Sequence, residues 1–139
     1  MNPVSAFVND AASAVIFLIG SKQTRKSLFL KRIFLPFLAN ELFANIEDRK
    51  KMAYGIYQTT VRLSSFEIQD ELITDLLRPA SRGLSVSIAA DEGVKVLGLH
   101  REYPAEELTL RKLFDDCCEN RVSHTQPPGA RFTIDHILS

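Results

Sequence analysis

The hydrophobic pattern of these 139 residues predicts a mainly helical α+β fold, with helices first, then a β-hairpin, a helix and a C-terminal strand. Three observations carry that expectation. Apolar residues recur at three- and four-residue spacing through the first 46 positions. Strict alternation replaces this period between Leu84 and Val96. A second alternating run, Phe132, Ile134 and His136, follows the loop Gln126-Pro127-Pro128-Gly129. With no internal repeat and no low-complexity stretch, residues 1–139 read as a single domain, long enough for one core.

Asn2-Pro3 is an N-cap followed by proline at the first helical position. Val4, Phe7, Val8, Ala11, Ala12, Val15, Leu18 and Ile19 then form one apolar stripe that Gly20 closes, which predicts a helix over residues 3–19. A second helix is expected from about residue 24 to 45, apolar nearly all round and kinked or split at Pro36. Such a helix belongs at the centre of a core or in a subunit interface. Glu47 and Asp48 open a third helix over 47–63, although Ile56 to Leu63 carries strand propensity. Ser64 with Glu67 fits a capping box for a helix over 65–77. Leu84, Val86 and Ile88, the turn Asp91-Glu92-Gly93, and Val94 and Val96 make the best hairpin in the chain. Pro104, Glu106 and Glu107 start a helix to about Asn120 that buries Leu108, Leu110, Leu113, Phe114 and Cys117. Residues 132–136 are the third strand that a lone hairpin needs. The order is compatible with a winged-helix arrangement.

Composition narrows the class. Apolar residues make up 45% and charged residues 24%, with no tryptophan and nine phenylalanines, which describes a globular chain with a greasy core. Cys117 and Cys118 are adjacent and have no other cysteine to pair with, so reduced thiols in a cytoplasmic or nuclear compartment are expected. The apolar run 11–20 lacks a basic segment before it and is too short to span a bilayer, so neither a secretory signal nor a membrane span is expected. The zero net charge hides an asymmetry: residues 1–63 carry nine Lys/Arg against four Asp/Glu, and residues 64–139 carry eight against thirteen.

Residues 13–27 can be read in two ways. As strand, loop and helix they form a degenerate phosphate loop, in which backbone N–H groups cradle phosphates, Lys26 meets the β/γ oxygens and Ser27 a metal ion. Arg25 then stands where the second glycine should let the backbone approach the phosphate. As helix, cap and helix, Gly20 ends one helix and the cations form a solvated turn. The apolar register of residues 3–19 favours the latter. The cations Lys22, Arg25, Lys26 and Arg32 nonetheless make the one candidate site for an anion or nucleic acid. Residues 65–77, read as a helix, carry Glu67, Asp70, Glu71 and Asp75 and no cation, a surface suited to a basic protein partner; Phe29 and Phe37 extend the candidate interface. No cysteine–histidine spacing suits a metal, no nucleophile–base grouping is local, and no cofactor is implied.

Together these features favour a non-enzymatic interaction or regulatory protein, acting through protein surfaces as a homodimer or complex subunit. A nucleic-acid-binding regulator using residues 22–32 is the first alternative. A degenerate phosphate-loop nucleotide-binding domain is the second.

Overall fold

In the computed structural model, which describes residues 3–10, 15, 26–52, 59–69, 71–121 and 129–138, strand β1 (Thr59–Gln69) holds the centre of the larger sheet. Its neighbours are β2 (Leu72–Asp75) and β5 (Gly129–Leu138), both antiparallel, in the order β2-β1-β5. The register pairs Gln69 with Leu72 and Phe66 with Asp75 on one side. On the other it pairs Thr59 with Leu138 and Ile68 with Gly129. Val61, Leu63, Ser65 and Glu67 point to one face of β1, Ser64 and Phe66 to the other, and all six are buried. A strand covered on both faces is a central strand. Beyond the end of β2, Glu102 takes the place beside β1, exchanging backbone hydrogen bonds with Leu63 at 2.8 and 3.0 Å. The outer edge of β2 is closed by residues 81–84: Asp75 N–H donates to Ser81, and Leu84 N–H donates to Ile73.

Strands β3 (Val86–Ala89) and β4 (Gly93–Val96) form a separate two-stranded sheet. Gly93 adopts φ 73° after Ala90-Asp91-Glu92, as a three-residue hairpin loop requires of its closing residue.

The helical layer comprises α1 (Pro3–Asp10), α2 (Lys26–Phe29), a π-helical segment Leu30–Phe34, α3 (Leu35–Met52) and α4 (Glu107–Glu119). From Lys26 to Met52 the helical backbone is continuous. The π segment sits immediately before Pro36, and Leu35 N–H reaches back five residues to the Leu30 carbonyl. Proline cannot donate to the carbonyl four residues earlier and crowds it, so widening the preceding turn lets the helix run on without a break. Leu35, Ala39, Leu42 and Ile46, at spacings of four, three and four, face the core with Val4, Val8, Val61, Leu63, Leu110 and Phe114. A fully buried side chain such as Leu42 contributes about 2 kcal/mol. Arg49 donates to the carbonyls of Val8 and Asn9, capping the C-terminal end of α1 and fastening it to α3. No helix among the described residues is long and apolar enough to cross a membrane.

The α+β class, the β3–β4 hairpin and α4 match the sequence reading; several other elements do not. In the expected helix 65–77, residues 65–69 and 72–75 are instead strands β1 and β2, and residues 59–63 belong to β1 rather than to a helix over 47–63. Local spacing suited a helix there, but pairing with β5 more than sixty residues later decides the conformation. Residues 47–52 are the last turns of α3. The third strand joins β1 and not the hairpin, so the arrangement is not that of a winged helix. In the expected helix 3–19, residues 3–10 are helical, but Val15 lies in no helix and is 76% exposed. The long helix is not buried all round, since Leu28, Phe29, Ile33 and Phe37 are exposed. Leu108, expected inside, is exposed on α4.

Candidate functional site

Lys26 and Ser27 are the first described residues of α2, and Gly20-Ser21-Lys22-Gln23-Thr24-Arg25 precede them in sequence. Peptide dipoles aligned along a helix place partial positive charge at its N-terminal end. No acid lies in the first turn to neutralise it. The conformation of residues 16–25, and with it the choice between strand and helix before Gly20, lies outside the described residues.

The helical run is held against α4 by polar contacts in antiparallel register. Asn40 donates to Glu107 at 3.4 Å, and Lys31 pairs with Glu119 at 3.8 Å. Glu107 is also engaged by Arg111 at 2.8 Å, one helical turn along. Exposed pairs of this kind stabilise by a fraction of a kcal/mol each and chiefly fix alignment. Between the two helices runs a shallow groove lined by Lys31, Leu35, Pro36, Arg111, Phe114 and Asp115.

A buried polar junction lies where α4 meets the sheet. Asp75 is fully buried and accepts three backbone N–H bonds, from Leu77 (2.9 Å), Arg78 (3.2 Å) and His100 (2.7 Å). It thereby fixes the chain at its exit from β2 and at residue 100 at once. Leu76 N–H donates to the Ser65 carbonyl, and the Asn120 side chain donates to the Leu76 carbonyl, tying the end of α4 to the same bend. Arg121 Nε lies 3.6 Å from Glu67 Oε2, with Glu67 only 2% exposed. The His100 ring meets Glu102 at 2.6 Å. Burial pushes the Cys117 thiol up to about 12; a hydrogen bond with Ser65 pulls it down, and Cys118, Asp75 and Asp116 add to the rise. Burial also raises Cys118, against the pull of Arg121 and Lys31. These thiols are therefore poor nucleophiles.

The sequence-derived candidates fall out as follows. Lys22, Arg25 and Asp70 lie outside the described residues. Lys26 is the first residue of α2, and Arg32 is exposed in the π segment. Phe29 and Phe37 are exposed on the helical run. Glu67 and Asp75 do not share an acidic surface with Glu71, because both are buried in the sheet, whereas Glu71 is exposed in the β1–β2 turn with φ 65°. Arg121, Ser65 and Asn120 were not singled out by sequence reasoning. For Ser65 the signal is a polar residue inside an apolar alternation, visible once residues 59–69 are read as a strand; Asn120 and Arg121, just past the end of α4, carry no local signal.

No family model matches the chain. A solved structure of a fast kinesin, described in terms of its ATPase mechanism and its interactions with microtubules, superposes with a TM-score of 0.64 at 25% identity, covering 73% of this chain and 30% of that one. In sequence, the chain is 28% identical over 109 residues to the kinesin-like protein KIN-7A of rice (Oryza sativa subsp. japonica), which covers 78% of this chain and 11% of the rice protein. The chain thus spans less than a third of the length of either protein. Both likenesses overturn the expectation of a non-enzymatic interaction or regulatory protein. They favour the phosphate-loop alternative over it.

Proposed function

We propose that this chain is part of a kinesin-like motor domain and binds a nucleoside triphosphate through residues 20–27, within an ATP-hydrolysing unit. The observation that carries the reading is the superposition on the fast kinesin over 73% of the chain. Lys26-Ser27 opening a helix supports it, because the loop motif needs its lysine and hydroxyl at such a start. Val15 outside any helix weighs against the helix-cap-helix alternative for this segment. In this reading Lys26 neutralises the outer phosphates, and the first-turn N–H groups of α2 donate to the phosphate oxygens. Arg25 departs from the motif. It crowds the backbone approach that glycine permits, and its guanidinium offers a bidentate phosphate partner in return. The proposed macromolecular partner is the microtubule, after the solved relative, and the proposed compartment is the cytoplasm, where adjacent free thiols stay reduced.

Saturating Mg·ATP is expected to raise the melting temperature of the protein by several degrees, as any ligand of the folded state must. Lys26→Ala should abolish the shift while leaving the melting temperature without ligand within a degree or so of wild type. An unshifted wild-type transition overturns the reading.

A further inference from the structure

The π turn shifts the helical run by one residue, and the shift is visible in what is buried. Leu35, Ala39, Leu42 and Ile46 define the inner face of α3. Counted back from Leu35 at the same spacing, an unbroken α-helix would place Arg32 and Leu28 on that face. Both are exposed, and the half-buried residues are instead Leu30, Lys31 and Phe34. Lys31, one position before Arg32, is the cation that meets Glu119 on α4. One extra residue therefore sits in the turn. It rotates α2 against α3 by about 100°, the angle of one helical residue.

Phe29 and Phe34 stack across this turn, with ring centroids 6.4 Å apart and planes inclined by 28°. Five residues along an α-helix turn through about 500°, which leaves their side chains about 140° apart around the axis. Only the wider turn brings residues five apart over one another, as it brings the Leu35 N–H to the Leu30 carbonyl. The stack is therefore specific to the π form. Phe34 packs against the core, Phe29 is 42% exposed, and no residue of the π segment is buried. The ring contact thus ties α2 to the core where burial does not.

We propose that Phe29 and Phe34 are positioning residues for the nucleotide site: their stack locks the π turn and so sets the rotation at which α2, with Lys26 and Ser27 at its start, is presented. The inference rests on the nucleotide reading of residues 20–27. Without the stack, forms that lack the extra residue in the turn compete, and apparent affinity falls with the fraction of molecules that remain competent to bind.

Titration calorimetry with Mg·ATP on the whole chain tests it, with the melting temperature without ligand as the check on folding. Phe29→Ala is expected to weaken binding about three- to tenfold, the range that loss of an aromatic pair can produce. Phe29→Tyr keeps the ring and should bind as wild type does. With no nucleotide present, the Leu35 amide should exchange its hydrogen faster in Phe29→Ala than in wild type, because its bond to Leu30 belongs to the π form. A wild-type protein that does not bind Mg·ATP overturns the nucleotide reading and this inference with it. Where wild type binds, undiminished affinity in Phe29→Ala, a loss that Phe29→Tyr shares, or unchanged exchange at Leu35 overturns the positioning role alone.

Discussion

Asp75 shows how much of the fold one carboxylate can organise. Its two oxygens accept three backbone N–H groups from two separate segments in a site closed to water, and each donor left unsatisfied there would cost about 1–3 kcal/mol. Cys117 lies in the same buried region on different terms, because a thiol needs little from its neighbours and loses most when charged. The folded protein holds this thiol at about 12, above its ordinary 9.0. Its contribution to stability is therefore constant below pH 9 and declines as the pH rises towards 12, where the unfolded chain ionises first. Urea midpoints are expected to be flat between pH 7 and 8.5 and to fall above about pH 9.5, with Cys117→Ala reducing the slope of that fall. Iodoacetamide at about pH 8 should leave Cys117 unmodified in the folded protein and label it once urea is added.

The β1–β2 turn joins Gln69 and Leu72 through two residues, and Glu71 adopts φ 65° there. Two-residue hairpin loops of this kind favour Asn-Gly or Asp-Gly, since a side chain in the left-handed region costs about 1 kcal/mol. Glu71→Gly converts Asp70-Glu71 into Asp-Gly and should raise stability by about 1 kcal/mol in a denaturant titration. The missing glycine also explains why this hairpin was not legible in the sequence. Where the turn chemistry is explicit, at Asp91-Glu92-Gly93, the sequence shows the hairpin, and the acidic start and apolar period of residues 106–119 show α4. Between residues 59 and 77 the local signals pointed to helix: the Ser64–Glu67 spacing of a capping box, and Ile68, Leu72, Ile73, Leu76 and Leu77 at helical intervals. The conformation there depends on β5, and no local window contains β5. The phosphate-loop spacing of residues 20–27 is legible as a motif; Arg25 in place of glycine, with an apolar stripe through residues 3–19, favours the helix-cap-helix reading, and residues 16–25 lie outside the described residues.

At the scale of the molecule, sheet and helices are joined by the apolar core, by the hydrogen bonds of Asn120 to Leu76 and of Cys117 with Ser65, and by the buried Glu67–Arg121 pair. That pair links the C-terminal part of the central strand to the second residue after α4, with Arg121 itself only 13% exposed at the side chain. Removing one member leaves a charge buried in a low-dielectric site, which typically costs 3–5 kcal/mol. Arg121→Ala is therefore expected to lower unfolding stability by about 3 kcal/mol, and Arg121→Lys by less, read from urea denaturation. The central position of β1 also bears on the order of events during synthesis. Its long partner β5 begins at Gly129, sixty residues after β1 ends. Until that late segment leaves the ribosome, β1 has β2 and Glu102 on one flank and, on the other, a row of backbone donors and acceptors with only water to bind. Pairing over such a separation is slow to form, and an unfinished sheet edge is adhesive. The nascent chain thus carries its central strand half paired while some sixty further residues are made, the interval in which a holding chaperone has the most to protect.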